Sequence, residues 1–350
     1  MLLALTLLAA GAALRQVDRI HFARHRPHMA RAAELIALQR ARANNWTPTV
    51  LLVGQWVQIA GWWSLAGHGA GAAIAATLAV AVQLRHLQEI GHAAVHGILA
   101  RTARANLLLA EALVQLPLGL APATTRRQRH VRDHHPNATL ATDPNLAELH
   151  RAGLLPGVTG PRFIAALMYP LTARGLAVTA ADLAANLLRS PGRWTRAAAV
   201  GAVLSAAYLI GGWTAVVCGV LIPRLVLYPQ LAWLSLVVEH TWFDPEPRSG
   251  APAYVEAGRC LRLYPRNRAL ALLAATTWLP YGDLYHYAHS AHPGVRWNYL
   301  PALERHLGAP HFTPAGLLHG SGSVARRHLA ALTLSPSAAV APVTAPARAG

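Results

Sequence analysis

Two long stretches without charge govern what this chain can become. From Thr47 to Leu84 there is no Asp, Glu, Lys or Arg, and from Ala197 to Val238 there is only Arg224. A helix advances about 1.5 Å per residue and a hydrocarbon core is about 30 Å thick, so each stretch is long enough to cross twice. Each also carries a break near its middle, GHGAG at 67–71 and Gly211-Gly212-Trp213. The pattern predicts an all-α integral membrane protein with two transmembrane hairpins, four spans in all. Composition agrees, since 13% of residues are charged against about 25% in a soluble domain.

A hairpin leaves the membrane on the side it entered, so residues 15–46, 85–196 and 239–350 face one compartment. All 31 basic residues are arginine, and only Arg224 lies inside a hairpin. The positive-inside tendency makes the arginine-rich side the cytoplasm and predicts a cytosolic helical cap on a multi-pass cell-membrane protein. The net charge of +17 fits a coding bias towards arginine. A nucleic-acid surface would instead interleave basic residues with stacking aromatics in a soluble module, so no nucleic-acid partner is expected. Cys218 and Cys260 make neither a disulfide framework nor a CxxC site.

The flanks are simpler. MLLALTLLAAGAAL at the start is apolar but short for a span and lacks a cationic leader, so it reads as an interfacial or core-packing helix, with a non-cleaved signal anchor as the other option. Ala105 to Leu120 lies in the membrane surface or dips into it, and 163–188 is amphipathic with a break at Pro170. The division is 1–46, an N-terminal apolar and basic helical region; 47–301, the membrane domain; 302–330, a C-terminal cytosolic segment; and 331–350, an Ala/Pro-rich disordered tail.

The chemistry lies in the histidines, 19 in all. GHAAVHG sets His92 and His96 at i, i+4, the spacing that lets two imidazoles reach one metal. Ala93 stands where a zinc protease needs its glutamate base, which excludes that motif. RHVRDHHP adds His130, His134 and His135, EH at 239–240 adds His240, and YHYAHSAHPG adds His286, His289 and His292. A lone pair of this kind is as often a solvated helix face, and an arginine-rich patch alone would serve anionic lipid headgroups. Parity, however, puts every cluster on one face of the membrane. Such convergence suits iron, copper, zinc or nickel, and iron is the usual choice for oxygen chemistry. Five carboxylates sit near these clusters and are candidates to orient the rings: Glu89, Asp133, Asp143, Glu239 and Asp283.

These residues resemble the membrane fatty acid desaturase and hydroxylase superfamily of histidine-box proteins. HAAVH at 92–96 looks like its first box, HVRDHH at 130–135 like its second, and Glu239-His240 like the extra ligand after the fourth helix. YHYAHSAHPGVRWNYLP keeps His286, His289, Pro293 and the WNYLP tail of the third. The resemblance implies a di-iron centre held by His92, His96, His130, His134, His135, His240, His286 and His289, with no catalytic side chain beyond these ligands. It also implies O2 as co-substrate and oxidation of an unactivated C–H bond in a fatty-acyl or other lipid-like chain among membrane lipids. The chain has no GxGxxG or cysteine cluster, so electrons come from outside, from a carrier such as ferredoxin with its reductase.

Ser290 departs from the pattern, standing where the third box has its last histidine. At about 100° per residue His292 falls on the far flank of the ligand arc, and it replaces the lost imidazole only if the helix unwinds before Pro293. The outcomes left open are an open iron position, a shift to hydroxylase or ketolase chemistry on an isoprenoid or specialised metabolite, or a non-catalytic membrane relative. A haem-binding membrane protein is the reading from another class, and it would want axial histidines inside the spans, where only His68 lies.

Overall fold

The structure is a computed structural model that describes residues 2–41, 44, 46–317, 320 and 322–334, and the side chains of all of these except 16–25. Among the described residues it is all helical, with two isolated backbone bridges and no strand. Helix α1 spans Leu2–His25, α2 Ala32–Arg40, α3 Thr47–Ala66 and α4 Ala70–Val95. Between α4 and the second apolar stretch lie α5 (Ala103–Ala110), α6 (Ala123–Arg127), α7 (Pro144–Arg151), α8 (Gly160–Leu167) and α9 (Ala173–Leu188). Then come α10 (Arg193–Val216) and α11 (Tyr228–Glu239), joined by two wide turns at Val217–Leu221 and Pro223–Leu227. The remaining helices are α12 (Pro252–Ala257), α13 (Arg268–Thr276), α14 (His286–Ala291), α15 (Leu300–Leu307) and α16 (Val324–Leu334).

The helical segments long and apolar enough to cross a membrane are Ala70–Val95 and Arg193–Glu239. The second has 47 residues, and it is not straight. Gly211 and Gly212 leave helical geometry, Gly212 at φ 66°, a region glycine enters without strain. A Cβ on Gly211 would lie 2.1 Å from the Trp63 carbonyl oxygen. The break expected at 211–213 is therefore present, and the one at 67–71 separates α3 from α4. The two breaks also meet, because a Cβ on Gly67 would touch the Gly211 carbonyl oxygen at 3.6 Å. α3 is absent from the spanning pair. It carries Gln55 and Gln58, both buried; Gln58 Oε1 accepts from Gln83 Nε2 at 3.0 Å and Gln55 donates to the Tyr281 hydroxyl at 3.2 Å.

α1 packs antiparallel on α3, with Leu7 against Gly61 and Leu14 against Gly54, so close that a Cβ at either glycine would fall within 2.4 Å of a leucine methyl. Its apolar run thus packs against the core on one side, while Leu2, Leu3, Leu5 and Leu8 stay exposed. On the helices beyond, Val57, Ile74, Leu209 and Trp213 are more than half exposed, an apolar outer surface that hydrocarbon suits and water does not. The expected break at Pro170 is a 3-10 turn, Tyr169–Leu171, between α8 and α9.

The tail departs from expectation. Residues 331–334 belong to α16, because Ala331 and Leu332 are helix formers and no proline occurs before Pro336. Leu332 is buried and its carbonyl accepts from Gly157 N–H at 2.8 Å. Residues 335–350 lie outside the described residues.

Candidate metal centre

α4 carries the first histidines. From Gly67 at one end, 26 residues of helix advance about 39 Å, so His92 and His96 emerge at the end opposite the two glycine breaks. The second cluster depends on a local irregularity. Gln128–His134 is a π-helical turn in which the His135 N–H bonds the His130 carbonyl. In an α-helix residues five apart point about 140° away from each other; in the wide turn His135 comes back over His130. Their Nε2 atoms lie 3.1 Å apart, and His134 is turned to a different neighbour.

Four Nε2 atoms close a ring. His92 meets His96 at 3.0 Å and His130 at 2.6 Å, while His135 meets His96 at 3.2 Å and His130 at 3.1 Å. A square of such an edge has its centre about 2.1 Å from each corner, the length of a metal–imidazole bond. His289 completes a group of five whose ligand atoms all lie within 4.8 Å of one another. Its own Nε2 is buried with no hydrogen-bond partner, the condition a missing cation would explain.

A second group adjoins the first. His240 follows the last residue of α11, and its Nε2 lies 3.0 Å from that of His286, the first residue of α14. His134 packs beside His240 with ring centroids 5.2 Å apart, and its Nε2 too is buried without a partner. The third member of this group is Cys260, with one atom from each of His240, Cys260 and His286 inside the same 4.8 Å limit. Residue order does not single out Cys260, which belongs to no CxxC pair. It sits in a loop, and an isolated bridge between the two residues brings it beside His240.

The distal ring nitrogens are held, which fixes which nitrogen faces inward. His92 Nδ1 lies 2.7 Å from Glu89 Oε2, and His134 Nδ1 lies 3.0 and 3.1 Å from the two oxygens of Asp143. Asp143 is itself fixed, accepting from the Thr139 and Asn145 N–H groups. His240 Nδ1 meets the Arg259 carbonyl at 3.2 Å, and Arg259 in turn donates to the carbonyls of His135 and Ala138. Burial first, and neighbouring imidazoles second, push His96, His130, His135, His240 and His289 well below the usual range. These rings are neutral, with lone pairs free for a cation.

The other carboxylates divide. Arg85, buried on α4, pairs with Glu89, donates to Asp283 Oδ2 at 2.6 Å and donates to Ser235 at 2.7 Å. Ser235 in turn donates to Glu239 at 2.7 Å. Glu89 and Asp283 thus meet one buried guanidinium directly, and Glu239 joins them through Ser235. Asp283 and Glu239 reach no histidine through the bonds described, and Asp133 accepts from Gln128 at 2.9 Å. Glu89, His92 and Asp283 nonetheless form a third group whose ligand atoms lie within 4.8 Å of one another. His292 has left the helix as its cap residue, but it joins none of the three metal-capable groups, and the other imidazole acting on it is His306. Burial lowers it.

All eight histidines expected from the boxes are therefore brought together, five in the first group and three in or beside the second. The fold and the site define a class: a protein that is all helical among its described residues, with an apolar outer surface, whose half-buried and buried imidazoles converge at one end of its apolar helices. The model of the fatty acid desaturase family matches residues 68–319, and the chain belongs to that family. Membership implies a membrane-bound oxidoreductase with a lipid substrate, and the family's centre is generally di-iron. No curated protein and no solved structure matches the chain.

Proposed function

We propose that this chain is an O2-dependent oxidoreductase that desaturates a fatty-acyl or other lipid-like chain at a centre of two iron ions. The observation that carries the reading is the convergence of seven imidazoles in two adjoining groups with an eighth, His134, beside the second, and two unpartnered Nε2 atoms buried among them. His92, His96, His130, His135 and His289 hold one iron; His134, His240 and His286 hold the other. Iron so held supplies the oxidant: O2, two electrons and two protons enter, two hydrogens leave neighbouring carbons, and two waters form.

The chain's own residues bind and orient. Glu89 and Asp143 keep Nδ1–H of His92 and His134 turned outward. A cavity of about 20 Å³ lies against His92, His286 and His289, walled by Ile98, Val295, Trp297 and Leu300; that is room for one molecule of water or O2 size. Arg296 fixes this wall, donating to the Ile98 carbonyl at 2.7 Å and the Asn44 carbonyl at 2.6 Å. The membrane arrangement in this reading is four spans, α3, α4 and the two limbs either side of Gly211-Gly212. The arginine-rich histidine end faces the cytoplasm, and a ferredoxin with its reductase delivers electrons there.

A second reading, hydroxylation, is favoured by Ser290, which alters the donor set of one iron. Expression with a ferredoxin and its reductase, followed by mass analysis of lipid extracts, separates the two. Loss of two hydrogens is expected; gain of one oxygen supports hydroxylation. Iron-free protein carrying no lipid product in either form overturns both.

A further inference from the structure

Ser290 and Cys260 meet at the same place. On α14, Ser290 stands one turn after His286 and on the same face, with its Oγ 3.4 Å from His286 Nε2. An imidazole at 290 would therefore point at the His240–His286 pair and not at the five-histidine group. The deficit of one ligand belongs to the second position alone.

A sulfur stands beside that deficit. Cys260 Sγ lies 3.3 Å from His240 Nδ1 and 3.1 Å from Glu256 Oε2, and it is 1% exposed. With His240 and His286 it forms a fully buried group able to hold one ion. The orphaned Nε2 of His134, on the ring beside His240, is an independent sign that the place is built for a cation. The thiol's hydrogen-bond acceptor is a carboxylate, Glu256, itself paired with Arg259 at 2.5 Å. Cys260 also packs with Ala257, Tyr287 and Ala291 in a small apolar cluster.

We propose that Cys260 supplies a thiolate ligand to the metal at the His240–His286 position, in place of the imidazole that Ser290 does not provide. The inference rests on the two-metal reading given above. On metal binding the S–H bond breaks, a sulfur–metal bond forms, and the proton is released to solvent; no electron is transferred. A thiolate is softer than an imidazole, so the two positions differ in kind.

The test is optical and needs no turnover. The purified full chain is loaded with Co2+, its absorption spectrum recorded and bound cobalt counted. The wild type is expected to show a near-ultraviolet sulfur-to-cobalt charge-transfer band. Cys260→Ala should lose the band and one bound ion per chain, whereas Cys218→Ser should keep both. The double variant Cys260→Ala with Ser290→His should recover the ion without the band, which separates ligand loss from misfolding. Cobalt bound by the wild type with no sulfur band overturns the thiolate alone. A wild type that binds no cobalt or iron overturns the two-metal reading with it.

Discussion

The two histidine groups reach the same end of the molecule by different means. The first is set on helical register: His92 and His96 one turn apart on α4, His130 and His135 one π-turn apart, and only His289 from a distant segment. The second has one atom group from the end of α11, one from a loop and one from the start of α14. Register repeats one kind of donor at fixed spacing, so the first group is all imidazole. Segment ends are free to bring unlike residues together, and there a cysteine lies near the serine that stands where one imidazole was expected. The first group is part-accessible, and the second is buried throughout, so a change of ligand is felt more as chemistry in one and as desolvation in the other.

Removing a ring from the register-built group has the largest effect. His96→Ala should lower product formation by at least about 100-fold, beyond the range seen when only a ligand's orienting partner is changed, and should lower bound iron. Product and iron at wild-type levels would break the assignment of the first group. His286→Ala tests the second in the same assay. If the groups are separate positions, each variant should retain the ion held by the other.

Next come the carboxylates that orient one ring in each group. Asp143→Asn should weaken metal binding about 10–100-fold through His134 and the second group, read by competition with a chelator. Glu89→Gln should do the same to the first group through His92. It should also cost about 1–3 kcal/mol of stability, because Arg85 loses one charged partner and keeps Asp283. A thermal melt in which the two variants fall equally would mean that the Arg85 network stabilises little.

Most of the frame was legible in the sequence, for reasons visible in particular residues. Uncharged runs and glycine pairs are one-dimensional signals, so the breaks at Gly67 and Gly211-Gly212 and the apolar helices around them could be placed from residue order. The eight histidines were also legible, since spacing within each box and order along the chain carry that information. Three things were not. The wide turn at Gln128–His134 has no mark in the residues and decides that His135, and not His134, joins His130. Cys260 is twenty residues from His240 in sequence and is brought beside it by a loop bridge. The choice among carboxylates was open too, because proximity in sequence to a histidine does not fix direction: Asp283 turns to Arg85 and not to His286, three residues on.

The finest contrast lies within the second box, where Asp133 and Asp143 stand on either side of His134 and His135. Sequence distance favours Asp133, which adjoins His134. In the structure Asp143 is fully buried and meets both oxygens to His134 Nδ1, while Asp133 only accepts from Gln128. Asp133→Asn should therefore leave metal affinity unchanged and shift stability by less than about 0.5 kcal/mol, as a surface change does. The same chelator competition measures both aspartates. Equal losses would mean that charge near the box, which both supply, matters more than the bond to a ring nitrogen, which only Asp143 makes.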